Sequence, residues 1–231
     1  MNKNVYMIIV AMGLLTGFTK VSEARGYEII KGKGVEVCED YLKNINEYEY
    51  PMICEREISK DIKSLKAIKW TELDLREDVT LYKQGYMFVN GYTKKKDWGY
   101  RNENNFKLYM EDAIKFKWDT MRMSLIDMDN DGKAEKIIKF SNGRCLDTHV
   151  YGTALIWVND MENNVNVEKS WLLSFDDIAG RYNYHLYDAF MHKGATYFDE
   201  ISFRKKRYLD VYKMKGNKVE NVCKFYFYGK L

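Results

Sequence analysis

The chain has 231 residues, of which 46% are hydrophobic, 15% aromatic and 31% charged. This composition excludes a disordered or low-complexity polymer, because the apolar fraction is large enough to build a buried core. The formal charge is +3, from 37 Lys and Arg against 34 Asp and Glu. So small a surplus does not indicate a nucleic acid or an anionic membrane as the partner.

The N-terminal segment has the pattern of a secretory signal peptide. Lys3 gives it a basic start, an apolar run covers residues 5–18, and small residues end at Ala24. The apolar run is too short for a membrane anchor, since crossing a bilayer takes about 20 residues. We therefore predict a signal peptide over 1–24 and a single mature domain over 25–231, periplasmic or secreted, with no membrane span after cleavage.

Apolar residues at helical spacing predict three helices in the first half of the mature chain. The three segments are 35–46, 75–89 and the stripe formed by Phe106, Met110, Ala113 and Ile114. Polar residues at 102–105 precede the third stripe and are predicted to cap its helix. We therefore expect residues 25–117 to be rich in helix.

After Trp118 the apolar residues alternate with a period of two, which is typical of strands separated by turns. Strands are predicted over 121–126, 134–140, 153–158, 165–171, 187–192, 196–203, 208–214 and 219–228. The predicted fold class is therefore α+β. Its helix-rich N-terminal half is followed by an antiparallel β-meander over 118–231, arranged as a sandwich or as two propeller-like blades.

The turn at residues 127–135 reads Asp-Met-Asp-Asn-Asp-Gly-Lys-Ala-Glu and alternates carboxylates with other side chains. We expect the three aspartates to turn inward and Met128 and Asn130 to turn outward, while Gly132 permits a positive φ. Such a set of hard oxygen ligands suits Ca²⁺. The predicted ligands of a structural calcium ion are the side chains of Asp127, Asp129, Asp131 and Glu135 and the carbonyl of Lys133.

This turn is not a complete EF-hand loop, because position 12 of an EF-hand loop is a bidentate Glu and the corresponding residue here is Ile138. The alternative interpretation is an Asx-rich turn without a metal ion. The segment 124–138 resembles the strand-loop-strand calcium hairpins of FG-GAP and VCBS-type repeat proteins, in which D-x-D-x-D-G joins two strands. The resemblance implies a structural calcium site of the kind found in β-propeller blades, often in adhesion or ligand-binding proteins.

The four cysteines fit an oxidising compartment, because they are even in number and all lie in the expected mature domain. They are Cys38, Cys54, Cys145 and Cys223. Three pairings are possible, and proximity in sequence favours Cys38 with Cys54, which leaves Cys145 with Cys223. An alternative pairs Cys145 with His149 as nucleophile and base or as half of a zinc site, although no C-x-x-C motif accompanies them.

No residue is assigned a catalytic role, and no nucleotide or dinucleotide motif is present. Trp98 and residues 182–187 are candidate contact surfaces for a protein or carbohydrate ligand. As a whole the chain looks like an exported bacterial protein, and we expect a binding or interaction role. The alternatives are a secreted carboxylate-dependent hydrolase, for which Asp176 and Asp177 are candidates, and a small inhibitor or immunity-type protein.

Overall fold

The computed structural model describes residues 26–47, 56–90, 100–142, 152–159, 163–174, 185–202 and 208–228. The helices within these ranges are α1 (Glu36–Asn46), α2 (Val79–Val89), α3 (Tyr100–Phe116) and α4 (Val167–Leu173). The first five strands are β1 (Gly26–Lys31), β2 (Leu65–Ala67), β3 (Thr71–Glu72), β4 (Asp119–Ile126) and β5 (Glu135–Asn142). The other six are β6 (Gly152–Asn159), β7 (Asn164–Val165), β8 (His185–His192), β9 (Ala195–Ser202), β10 (Tyr208–Lys215) and β11 (Lys218–Tyr228).

The strands form two antiparallel sheets. The large sheet has six strands in the order β1-β11-β10-β9-β8-β2, and the small sheet has five in the order β3-β4-β5-β6-β7. Each sheet contains a meander of consecutive strands, β8 to β11 in the large sheet and β4 to β6 in the small one. None of the helices in the described ranges combines the length and the apolar character that a membrane crossing needs.

Three apolar cores organise the layers. Helix α1 covers one face of the large sheet, where Tyr41 stacks on Phe190 with ring centroids 4.4 Å apart. Helices α2 and α3 cover one face of the small sheet, where Tyr82 stacks on Phe140 at 5.9 Å. The third core contains residues of both sheets, because successive residues of a strand point to opposite faces.

The α+β class is confirmed, whereas the expected helix-rich first half is not borne out. Strands β1, β2 and β3 lie in that half, and 45% of the described residues are in strands against 28% in helices. Each of these three strands pairs with a strand far along the chain, so short segments become strands through partners that local periodicity does not reveal. The third helix begins at Tyr100, so residues 102–105 lie inside it and do not cap it.

The strand predicted over 165–171 is wrong, because most of this segment forms α4. Asn166 caps the helix, since its side-chain oxygen accepts a hydrogen bond from the Lys169 N–H at 3.0 Å. Only Asn164 and Val165 extend the small sheet, by pairing with the end of β6.

Two serine hydroxyls, of Ser170 in α4 and of Ser174 directly after it, hydrogen-bond to the backbone edge of β6. Ser174 Oγ accepts from the Leu155 N–H and donates to the Leu155 carbonyl, both at 3.1 Å. Ser170 Oγ accepts from the Trp157 N–H at 2.9 Å. Residues four apart on a helix are separated by about 6 Å, close to the spacing of residues two apart on a strand, so the two serines meet alternate strand residues in register.

Replacing Ser174 by Ala removes the hydroxyl that satisfies both backbone groups of Leu155 in a buried position. We expect Ser174→Ala to lower the free energy of unfolding by about 1–3 kcal/mol, measured by urea denaturation. Ser59→Ala is the matched control, because Ser59 Oγ accepts one exposed hydrogen bond from Asp61. A loss no larger than that of the control would show that α4 does not depend on this contact.

The structure pairs Cys38 with Cys223, so the pairing favoured by proximity, Cys38 with Cys54, is wrong, and so is the pairing of Cys145 with Cys223 that it left. Strand β1 pairs with β11, and the turn that follows β1 leads directly into α1, which places Cys38 beside Cys223 with a Cα separation of 5.6 Å. Gly32 permits this approach, since its φ is +88° and a Cβ there would lie 2.5 Å from the Cys38 sulfur. Cys54 and Cys145 lie outside the described residues.

Digestion of the non-reduced protein followed by mass spectrometry should yield a cross-linked peptide pair that contains Cys38 and Cys223. Because the bond closes a loop of 185 residues, the double variant Cys38→Ser/Cys223→Ser should lose about 2–5 kcal/mol of unfolding free energy. A cross-linked peptide joining Cys38 to Cys54 would contradict the β1–β11 topology as the determinant of the pairing.

Candidate metal centre

The acidic turn is the loop of the β4–β5 hairpin, as the sequence predicts. The last pair of the two strands is Ile126 with Glu135, and the register continues without a shift to Asp119 with Asn142. Gly132 has the predicted positive φ of 93°, and Asn130 also has a positive φ, of 58°. The chain therefore reverses sharply between two regular strands, which concentrates the acidic residues in a small volume.

The loop brings all four predicted carboxylates together. Asp127, Asp129, Asp131 and Glu135 each offer one oxygen, and these four oxygens lie within 4.8 Å of one another. Four carboxylate oxygens at this separation could hold a metal ion. The Lys133 carbonyl as a fifth ligand stays a prediction.

Backbone hydrogen bonds orient three of the carboxylates, and that of Asp131 accepts from the Lys133 N–H at 2.8 Å. Asp127 accepts from the N–H groups of Asp131 and Gly132 at 2.9 and 3.0 Å, one on each oxygen. Glu135 accepts from the Met128 N–H at 2.8 Å. These bonds are those of an Asx-rich turn. They also leave capacity for a cation, because each carboxylate oxygen carries more than one lone pair.

Asp129 differs from the other three acidic residues by its burial. Its side chain is 7% exposed, and its Oδ2 lies 3.5 Å from Lys169 Nζ. Its Oδ1 is buried and has no hydrogen-bond partner among the residues that the structure describes. A buried carboxylate oxygen without a partner is unfavourable, and a bound cation would satisfy it. The residues present therefore fit a metal ion.

Repulsion among the carboxylates of the loop also favours a bound cation. Burial raises the pKa of Glu135 above its ordinary value, and the hydrogen bond from the Met128 N–H opposes that shift. The charges of the three neighbouring aspartates raise the pKa further. Each carboxylate therefore experiences the negative potential of the others, which a divalent cation would reverse.

Met128 and Asn130, which were predicted to turn outward, both pack against the rest of the protein. Met128 is fully buried in the core that contains residues of both sheets. The Asn130 amide donates to the carbonyls of Thr196 and Met214 at 3.1 and 3.0 Å and accepts from the Thr196 N–H at 2.9 Å. The prediction failed because the alternation in the sequence indicates only that these two side chains point away from the carboxylates. It does not show whether solvent or protein lies on that side.

Asn130 thus links a loop of the small sheet to β9 and β10 of the large sheet. We expect Asn130→Gly, which keeps the positive φ without strain, to lower the free energy of unfolding by about 1–3 kcal/mol through loss of the side-chain hydrogen bonds. Asn163→Gly is the matched control, because Asn163 also has a positive φ, of 46°, and lies exposed in a turn, where its side chain accepts only a solvent-exposed hydrogen bond from Lys136 among the described residues. Equal stabilities of the two variants in urea denaturation would contradict the linking role.

A second group of possible ligands consists of Glu36, Asp40 and His192, and each of them already has a polar partner among the described residues. Asp40 accepts from Ser64 Oγ at 2.6 Å and lies 3.1 Å from His192 Nε2, while Glu36 pairs with Lys193. The hydrogen bond from Ser64 holds the pKa of Asp40 below its ordinary value. This group is therefore a polar contact between α1 and the β8–β9 hairpin.

A buried ionic cluster lies in the interior and was not predicted from the sequence. Arg56 contacts Asp199 through two hydrogen bonds of 2.9 and 3.1 Å, and the Tyr41 hydroxyl donates to the same carboxylate. Lys139 of β5 pairs with Asp188 of β8 at 2.7 Å. The two cations balance the two carboxylates, and the ionic side chains are at most 7% exposed, so the cluster joins the elements from inside.

Several predicted site residues lie outside the described residues. They are Cys54, Trp98, Cys145, His149, Asp176, Asp177 and the first part of the segment 182–187. At the end of that segment, Tyr187 is 2% exposed and packs in the core that contains residues of both sheets. Tyr187 is therefore not part of a contact surface. Trp157 of β6 is 5% exposed and packs in the same core.

The chain was compared with protein-family models, with curated proteins and with solved structures, and none of the three comparisons found a match. The resemblance of segment 124–138 to FG-GAP and VCBS-type hairpins therefore stays a prediction. The case for a function is carried by the geometry of the loop itself.

Proposed function

We propose that this protein is an exported binding protein, periplasmic or secreted, in which the β4–β5 loop holds one Ca²⁺ as a structural ion. The observation that carries the metal site is the convergence of four carboxylate oxygens within 4.8 Å. The buried Asp129 Oδ1, which has no partner among the described residues, supplies an independent reason for a cation at the same place.

Calcium fits the loop better than other common cations. The four side-chain ligands are all carboxylate oxygens, which favour Ca²⁺, Mg²⁺ or Mn²⁺ over the metals that prefer imidazole or thiolate ligands. Ca²⁺ takes 6–8 oxygen ligands in flexible geometry, whereas Mg²⁺ demands a near-ideal octahedron and retains several waters. An irregular hairpin loop with several carboxylates matches the requirements of Ca²⁺.

The affinity should be low. Ile138 stands at the position where an EF-hand loop has its bidentate Glu, and its side chain is 1% exposed in the core beneath α2 and α3. No ligand reaches the loop from that residue, so we expect a dissociation constant of about 10⁻⁴ to 10⁻³ M, as in extracellular calcium modules. Such a site is filled where calcium is abundant, which suits an exported protein.

The ion would act on the fold through the loop. Its ligands include both neighbours of Asn130, the residue that bonds to β9 and β10. Holding Asp129 and Asp131 in place therefore also holds Asn130 against the large sheet. We infer a structural ion that couples the two sheets.

Two further features support export and binding. The Cys38–Cys223 disulfide is typical of proteins that mature in an oxidising compartment. The ligand that we propose is a protein or a carbohydrate, because hairpins of the kind that this loop resembles often belong to adhesion or ligand-binding proteins. Neither a structural metal site nor a disulfide requires a catalytic function.

Thermal unfolding of the purified protein in CaCl₂, with MgCl₂ of equal ionic strength as the ion control, tests the calcium site. At 10 mM CaCl₂ a dissociation constant of 10⁻⁴ M would stabilise the fold by about 2.7 kcal/mol, which is a shift of several degrees in Tm. Asp129→Asn should abolish the calcium-dependent shift. Asp61→Asn, which changes an exposed carboxylate outside the loop, should leave the shift unchanged.

Isothermal titration calorimetry of CaCl₂ into the same three proteins locates the binding. Heat that saturates with the wild type and Asp61→Asn but not with Asp129→Asn is the expected result. Equal Tm values in CaCl₂ and MgCl₂ together with no binding heat would contradict the proposal.

A further inference from the structure

We propose that Lys169 is an internal counter-ion of the calcium site. In the metal-free protein its ammonium group neutralises Asp129, and binding of Ca²⁺ displaces it, so that Lys169 sets the calcium affinity. This inference rests on the proposed calcium site and adds a residue that the D-x-D-x-D-G pattern does not contain.

The fold places Lys169 beside the loop although 40 residues separate it from Asp129. Lys169 lies in the first turn of α4, and its N–H is bound by the capping Asn166 side chain. One residue further on, Ser170 anchors the helix to Trp157 of β6. These contacts aim the Lys169 side chain at the loop, and its Nζ lies 3.5 Å from Asp129 Oδ2.

The contact has the properties of a replaceable cation. At 3.5 Å the ammonium is farther from Asp129 than the 2.7–2.9 Å of a tight charge-assisted hydrogen bond. The Lys169 side chain is 30% exposed, so the ammonium can move into solvent without burying a charge. The Trp157 ring, whose centroid lies 3.8 Å from the ammonium, offers a cation–π contact that does not involve the loop.

Both cations need the same carboxylate. Asp129 is the most buried of the four ligands, and Lys169 occupies its Oδ2 while Oδ1 has no partner among the described residues. A calcium ion that binds Asp129 must either displace the ammonium or tolerate a positive charge at close range. In both cases binding is weaker than it would be without Lys169.

This role predicts opposite effects in the two states of the loop. Without calcium, removal of Lys169 leaves four carboxylates less well compensated, so the metal-free protein should unfold at a lower temperature. With calcium, the competitor is gone, so the dissociation constant should fall. If Lys169 only packed on Trp157, its substitution would lower the Tm equally with and without calcium and would leave the calcium affinity unchanged.

Lys169→Met keeps the aliphatic stem over Trp157 and removes the charge, and Lys169→Gln is a second, polar variant. Lys136→Met is the matched control, because Lys136 lies next to Glu135 in the same hairpin but its Nζ bonds to Asn163 at 2.5 Å. We propose to titrate the three variants and the wild type with CaCl₂, following Tm and binding heat, with MgCl₂ as the ion control.

Both Lys169 variants should bind calcium about three- to tenfold more tightly than the wild type, and Lys136→Met should stay within about twofold of it. The metal-free Tm of the Lys169 variants should be lower than that of the wild type, with the difference closing at saturating calcium. If the wild type binds but both Lys169 variants keep or weaken its affinity, this inference is wrong and the calcium site stands. If the wild type does not bind calcium, the proposed function fails as well.

Discussion

Mutual repulsion among four carboxylates in one short loop is the constraint that governs this part of the molecule. Asp127, Asp129, Asp131 and Glu135 converge within 4.8 Å, and backbone N–H groups and one lysine compensate their charge in part. An arrangement of this kind persists only if the surrounding structure holds it or a cation neutralises it. The surrounding elements hold the loop in the structure, and the proposed Ca²⁺ ion would neutralise its charge.

The elements that hold the loop come from distant parts of the chain. Asn130 fixes the loop tip to β9 and β10, and Met128 is buried in the core beneath it. Helix α4 brings Lys169 to Asp129, and it is in turn held by Ser170 and by Ser174, whose hydroxyls replace a neighbouring strand along β6. Contacts of the sheets and of α4 therefore converge on one hairpin, which explains how an ion bound there would act on the fold as a whole.

Much of the local structure could be predicted from the sequence, because it is encoded in short periodic patterns. The stripes at Val79, Tyr82 and Tyr86 indicated α2, and the alternating segments indicated the meanders. The acidic loop was predicted in the same way, and its four side-chain ligands do converge. What failed depends on contacts between distant segments. Strand β1 exists through β11, and the same pairing joins Cys38 to Cys223 rather than to Cys54.

Helix α4 shows the same limit from the other direction. Its sequence alternates well enough to indicate a strand, yet the Asn166 cap and the two serines that bond to β6 favour a helix. Without the position of β6, Lys169 could not be recognised as a partner of the acidic loop, and without β9 and β10 the anchoring role of Asn130 could not be seen. The convergence of the four carboxylates could be predicted from the sequence, whereas the contacts of the loop with Lys169 and of Asn130 with the large sheet required the fold.

A crystal structure of the protein grown in calcium tests the central claim most directly. The account predicts a density peak bonded to oxygens of Asp127, Asp129, Asp131 and Glu135 at about 2.3–2.6 Å, with the Lys169 ammonium withdrawn from Asp129. A loop in which only water contacts these carboxylates at saturating calcium, with Lys169 still beside Asp129, would contradict it.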